Sequence, residues 1–474
     1  MSFIEALESR IAPALLAPLV DGKGVLHIMH DDASGTKEDI VVTQTAANTF
    51  QVSDPNAMQT FAPSTGVKSI AILTSTFSDT IDLKFTQDGL TGDLEITTGG
   101  GTNGITLETV DFVSGVITGK VKIQGGVGAD TVNVFGGLAI ASPVTFAGGD
   151  GLDAFLPSGA YLAKKLTLDS VENITTANAT APVVIGGMLV EDEDPNGAVS
   201  FVLSNIATIA GALTYCGSSN FTDNVTLDGQ FSGPVKLMLL DGANNVISAG
   251  TFTKGLSATG GSGDDIFLFH SKPLGLGMPP GPPYITANFA GSVALKLGNG
   301  TNTVTFQDNS FFAKDVSVTT GTGADTVELG GAYFARNLKL SLGNGVNLLT
   351  NPSRDNFVGA GLKYTGGADA DTVDLDRLVA GGISIVLGHG ANGVSGDARL
   401  IGKAASILGG TGVDTIDHGL ASTLVSLSAK LGAGADSFHF RGGALAAATL
   451  DGGTESDTLT GQTLLPAKSK ITSF

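Results

Sequence analysis

A glycine-rich phrase, G-x-G-x-[Asp/Asn]-[Thr/Ser/Gly]-apolar, returns about every 22 residues along this 474-residue chain, and it restricts the fold more than any other feature. In the C-terminal third its Asp or Asn falls at Asn302, Asp325, Asn347, Asp371, Asn392, Asp414, Asp436 and Asp457, at intervals of 23, 22, 24, 21, 22, 22 and 21 residues. A period that regular denotes stacked copies of one structural unit. Upstream the marker is read at Asp79, Asn103, Asp130, Asp153, Asn224, Asn245 and Asp265, with the register blurred between 154 and 223.

Each phrase joins a glycine turn to a short strand. After Asp325, Val327 and Leu329 alternate with polar neighbours at the period of two that strands require. A second strand runs into the turn, as in 338–342, 383–387 and 427–431, and a third short apolar segment fills the remainder. The predicted class is therefore all-β: a parallel β-helix or β-solenoid with coils of about 22 residues, whose handedness the sequence does not name, right-handed being the form that known β-helices of this coil length favour. Roughly 15 to 18 coils at about 4.8 Å each predict a rod about 70 to 85 Å long. Residues 1–20 form a short apolar segment, 21–460 the solenoid and 461–474 a C-terminal tail. The 37-residue gap between Asp265 and Asn302 holds Pro273, Pro279, Pro280, Pro282 and Pro283. Proline cannot donate to a sheet ladder, so 271–285 is read as a loop thrown out from one coil.

Unbroken repetition argues for one elongated body. No uninterrupted run of about 18 apolar residues marks a helical membrane span. The single cysteine, Cys216, leaves no intrachain disulfide. A net charge of −20 disfavours nucleic acid and anionic membranes and makes cations the natural counterparts. Low Lys, Arg and Cys with high Gly, Thr, Asn and Asp is a composition shared with secreted bacterial repeat proteins. Residues 1–10 carry Glu5 and Glu8 against one Arg, unlike the positive start of an ordinary secretory signal. Phe3, Ile4, Leu7 and Ile11 share one helical face, which suits a cap on the open end of the solenoid or a tail that docks on a neighbouring subunit.

Several turns approach the nonapeptide G-G-x-G-x-D-x-U-x: 125–132 around Asp130, 148–155 around Asp153, 260–267 around Asp265 and 409–416 around Asp414. These resemble the haemolysin-type (RTX) repeat. The resemblance implies that stacked turns share Ca²⁺ through aspartate and backbone oxygen, with Asp130, Asp153, Asp265, Asp325, Asp371, Asp414, Asp436 and Asp457 as ligands. The arrangement departs from that family. One turn occurs per 22 residues rather than every nine, and Asp alternates with Asn, whose side chain carries no charge to offset a divalent ion. The other reading of the same residues is a metal-free ladder in which each Asp or Asn accepts hydrogen bonds from the glycine amides of its own turn. Residues 7–13, Leu7-Glu8-Ser9-Arg10-Ile11-Ala12-Pro13, resemble the L-E-x-R-x-x-P motif near the start of large secreted repeat proteins of some Gram-negative bacteria, with Ser9 in place of the commoner proline. That resemblance implies an extracellular or cell-surface location.

β-Helices also host polysaccharide lyases and hydrolases, which need clustered carboxylates on one face. The best strip here is Arg354/Asp355, Asp374/Asp376/Arg377, Asp397/Arg399, Asp417/His418 and His439/Arg441, equally a solvated ion ladder. Glu191–Asp194 is a second acidic cluster, and His27/His30 the closest histidine pair. Tryptophan is absent and there are only five Tyr, so no aromatic platform for sugars is evident, and most of the 24 Phe fall at inward positions. No catalytic constellation is expected. The functional expectations, in order, are an extracellular filament, appendage or surface-layer subunit that stacks head-to-tail on copies of itself; a monomeric cell-surface adhesin with calcium-binding repeats, with cell-surface polysaccharide as a partner; and a polysaccharide-active enzyme.

Overall fold

The protein is described by a computed structural model that covers residues 15–30, 37–110, 114–192, 197–270, 288–307, 310–352, 354–400, 404–419 and 423–474. The expected N-terminal motif at 7–13, most of the apolar segment 1–20, and the Pro-rich segment 271–285 lie outside the described residues. The chain forms two compact units, Met1–Tyr215 and Cys216–Phe474.

Both units are parallel β-solenoids, and together they hold about 16 coils of about 23 residues. The predicted all-β, parallel-coil architecture is thus what forms, with no α-helix among the described residues. A representative coil runs Thr131–Val134, Ala139–Ile140 and Val144–Ala147. Each strand pairs in parallel and in register with its counterpart one coil away. In the first unit this register builds an inward column Ile40, Ile81, Ile105, Val132, Phe155, Ile174 and Phe201. In the second it builds Val225, Val246, Phe267, Val304, Val327, Leu349, Val373, Val394, Ile416 and Phe438. All of these side chains are buried. Period-two alternation in sequence becomes stacked apolar columns because a parallel ladder places like positions over like.

The phenylalanines of the second unit stack along such a column. Phe231, Phe252, Phe289, Phe312 and Phe334 have ring centroids 4.6, 4.7, 4.7 and 5.0 Å apart and interplanar angles of 10–14°. Each such pair contributes about 0.5–1.5 kcal/mol beyond its buried area. Strands Ile266–Phe269 and Asn288–Phe289, on either side of the Pro-rich segment, keep full register with their neighbours. A large insertion here leaves the ladder intact.

The first coil is not like the rest. Leu19–Val20 pairs antiparallel with Val25–Met29, and Asp39–Ala46 pairs antiparallel with Thr49–Asp54, which in turn meets Gln59–Thr60 and Ser64–Thr65. These antiparallel strands cover the starting edges of both sheets, so the described capping elements reach Thr65. At the other end, the expected tail 461–474 holds a strand. Lys470–Thr472 pairs in parallel with Thr449–Asp451, after a short 3₁₀ turn at Gln462–Leu464, and so belongs to the last coil.

Candidate functional site: the aspartate–asparagine ladder

The marker Asp or Asn lies two residues before the first inward apolar residue of its strand, as Asp325 does before Val327. Period-two alternation therefore turns the marker inward as well. The ladder residues from Asp79 to Asp436 are almost wholly buried.

Their hydrogen bonds run between coils. In the first unit the backbone N–H of Glu38 donates to Asp79 Oδ1 (2.9 Å), that of Asp79 to Asn103 Oδ1 (2.8 Å), that of Asn103 to Asp130 Oδ1 (3.0 Å) and that of Asp130 to Asp153 Oδ1 (2.6 Å). The Asp153 N–H donates to Glu172 Oε2. In the second unit the same pattern joins Asp223, Asn244, Asp265, Asn302, Asp325, Asn347, Asp371, Asn392, Asp414, Asp436 and Asp457. Each side chain caps a buried amide of the coil before it. Left unpaired, such an amide would cost about 1–3 kcal/mol.

The Asp/Asn alternation has a direct cause. The Asn side chain donates from Nδ2 to Oδ1 of the next Asp, at 2.7–2.9 Å for 103/130, 244/265, 302/325, 347/371 and 392/414. A single aspartate oxygen then accepts both the backbone and the side-chain N–H of its Asn neighbour. An asparagine between two carboxylates supplies the donor that a third carboxylate lacks. In the second unit the residue five positions earlier often follows the same choice, although Ser218, Thr320 and Leu431 precede Asp223, Asp325 and Asp436. Leu239, Leu297, Leu342 and Leu387 precede the asparagines, whereas Gly260, Gly366 and Gly409 precede Asp265, Asp371 and Asp414. At those glycines the second carboxylate oxygen lies over the bare Cα. A Cβ would sit 1.8 Å from Asp265 Oδ2 at Gly260 and 1.7 Å from Asp371 Oδ2 at Gly366. The conspicuous glycine is therefore room for a carboxylate.

Burial pushes these carboxyls up from their ordinary value. Asp265 is raised to about 6, mainly by desolvation, against the hydrogen bonds from Asn244, with the charges of Asp264 and Asp223 adding to the rise. Asp130, Asp325, Asp371, Asp414 and Asp436 move in the same direction for the same first cause. Oδ1 of each ladder Asp or Asn is aimed at N–H donors, an arrangement that holds an anion, whereas Ca²⁺ takes six to eight oxygens around itself. Among the described residues no group of three or more Asp, Glu, His or Cys is gathered to hold a metal.

The glycine amides of the turn itself play a smaller part than the metal-free reading expects. Gly126 donates to Asp130 Oδ2 (3.1 Å) and Gly410 to Asp414 Oδ2 (3.4 Å), secondary to the inter-coil bonds. Two marker positions need correction. Asp223 and Asn244 occupy the ladder, while Asn224 and Asn245 begin the following strands and face outward. A one-residue slip reverses the face. The inward phase of Val225 and Val246, two residues on, is the signal that marks the right positions. Glu38 and Glu172 join the ladder without an Asp or Asn to signal them.

The charged strip disperses into local contacts. Arg441 Nε pairs with Asp417 Oδ1 at 2.7 Å, both partly exposed. Asp397 N–H donates to Asp376 Oδ1 (2.9 Å), Asp376 N–H to Asp374 Oδ1 (2.9 Å), and His439 Nδ1 meets Thr460 Oγ1 (2.7 Å). His418 is buried and stacks on Phe440 at 5.1 Å, and desolvation pushes its pKa down. Arg399 lies in the short strand Arg399–Leu400. Of the acidic cluster at 191–194, Glu191 and Asp192 are described, and Glu191 ends a strand. His27 Nε2 meets Asp21 Oδ2 at 3.3 Å, while His30 Nδ1 contacts Glu38, so the two histidines serve separate carboxylates. No described helix is long and apolar enough to cross a membrane.

One exterior feature was not legible as an aromatic platform. Phe311, Tyr333 and Phe357 stack on successive coils of the second unit, with centroids 5.3 and 4.6 Å apart. Their faces cover one another, so the stack stabilises the coils and offers few free ring faces. No family model, curated protein or solved structure matches the chain.

Proposed function

We propose that this chain is a structural β-solenoid subunit, working outside a bacterial cell or on its surface, that self-associates through the edge of its last coil. The observation that carries the reading is the contrast between the two outermost coils. Antiparallel strands cover the first coil, whereas Thr458–Thr460 and Lys470–Thr472 are each paired along one edge only among the described residues. Ile471 and Leu459 remain partly exposed there, Leu464 and Phe474 are exposed, and the Asp457 N–H has no acceptor among the described residues. An edge of this kind is a template for another strand. The buried carboxylates of the ladder cap backbone amides, and Arg441 and Asp417 of the charged strip pair with each other, which favours a structural role over catalysis.

The test is light scattering and negative-stain microscopy of the full chain beside Ile471→Pro, with and without a chelator. Proline removes an edge donor without touching the earlier coils. Ordered assemblies that Ile471→Pro abolishes support the reading, and filaments specifically support head-to-tail stacking. Monomers at all concentrations refute it, and assemblies lost on chelation point instead to a calcium-bridged contact.

A further inference from the structure

A cleft of about 510 Å³ opens on the first unit, lined by strand ends and corners of three successive coils. Its origin is a step in corner length. The corners at 135–138 and 158–160 have four and three residues, and the next, at 176–182, has seven. The short corners turn tightly on Gly136, Gly137 and Gly159, with φ of 77°, 85° and 65°. The longer one overhangs them, and a Cβ added at Gly137 would meet open space. Asn133 and Leu156 are register partners in adjacent strands of the lining, and Thr175 belongs to the strand of the coil beyond.

We propose that this cleft binds a neutral saccharide segment. No Asp, Glu, Lys, Arg or His lines it, so a charged ligand would find no counter-charge, on a chain whose net charge is −20. The side chains of Asn133 and Asn178 and the hydroxyl of Thr180 make no hydrogen bond within the described protein. Ser158 Oγ accepts the Thr180 N–H (3.0 Å) and keeps its own proton to donate. Amides and hydroxyls that both donate and accept match sugar hydroxyls, which do the same. Phe135, Leu156 and Pro157 supply the apolar surface against which the C–H face of a sugar ring packs. The volume lies within the usual range for small-molecule sites. A site without a titratable group binds and does not catalyse.

This inference is independent of self-association, since the cleft is complete within the first unit. Its test is calorimetric titration of the full chain with hexasaccharides of β-1,4-glucan, α-1,4-glucan and mannan, with oligogalacturonate as the acidic control. At least one neutral hexasaccharide is expected to saturate one site, with an affinity unchanged by added salt. Asn133→Ala and Asn178→Ala are each expected to weaken it about tenfold, the loss of roughly one good hydrogen bond. Thr423→Ala, in the second unit, is expected to leave it unchanged. Both asparagines are exposed enough that circular dichroism should stay that of the parent. Failure of all three neutral sugars to saturate at millimolar concentration, equal binding of oligogalacturonate, or undiminished binding by the two asparagine variants overturns the proposal.

Discussion

Replacing Asp265 by Asn should make the protein more stable at neutral pH. The Asp265 side chain is fully buried, its Oδ1 accepts the backbone and side-chain N–H of Asn244 at 3.3 and 2.9 Å, and Oδ2 lies over Gly260 with no hydrogen-bond partner. Its carboxyl is raised from 3.8 to about 6. Between those values the folded chain binds more protons than the unfolded one, so stability falls as pH rises through the window and stays low above it. The rise of about two units corresponds to a ceiling of about 3 kcal/mol at pH 7.5, and to nothing below pH 3.8. Asparagine keeps the accepting Oδ1 and carries no charge. The Asp265→Asn variant should therefore gain up to about 3 kcal/mol over wild type at pH 7.5 and lose the advantage near pH 4. Urea midpoints followed by circular dichroism at both pH values measure this. A variant less stable than wild type at pH 7.5, or a wild type stabilised by millimolar Ca²⁺ and weakened by a chelator, refutes the anion-ladder reasoning, because a bound cation would hold the carboxylate ionised and make its charge favourable.

Two further perturbations probe neighbouring features. Gly366→Ala should cost at least about 2 kcal/mol, because its Cβ would meet Asp371 Oδ2 and the Leu387 carbonyl, whereas Gly393→Ala, with nothing within 4 Å, should change the urea midpoint little. Phe289→Ala, in the middle of the five-ring stack, should cost about 3–5 kcal/mol by the same measurement, since it removes two stacked neighbours and leaves a cavity.

The coil was legible because its two signals are local: a glycine turn and a period-two strand. The inward column from Val304 to Phe438 can be read directly from that alternation. The direction of the ladder bonds was not legible, because a side chain that caps an amide some 22 residues away leaves no mark within its own turn. The same locality misplaced Asn224 and Asn245, where two polar residues stand side by side and only the strand's inward phase distinguishes them. Corner lengths carry no residue-type signal of their own, although the seven residues at 176–182 create the cleft. The antiparallel cover of the first coil was equally hidden, since Asp39–Ala46 and Thr49–Asp54 read as ordinary strands until their pairing is known.

The ladder also sets a grammar for changing the length of the protein. The acceptor for each coil's buried amide always comes from the coil that follows, and along much of the second unit Asn and Asp alternate with Leu and Gly five residues earlier. Removing or duplicating one coil there would set two carboxylates, or two asparagines, in contact and pair the wrong fillers. Removing or duplicating two together would restore every bond. The increment of length that preserves every Asn–Asp side-chain bond is thus a pair of coils, whereas around Asp414, Asp436 and Asp457 carboxylates already follow one another and a single coil can be gained or lost without breaking such a bond.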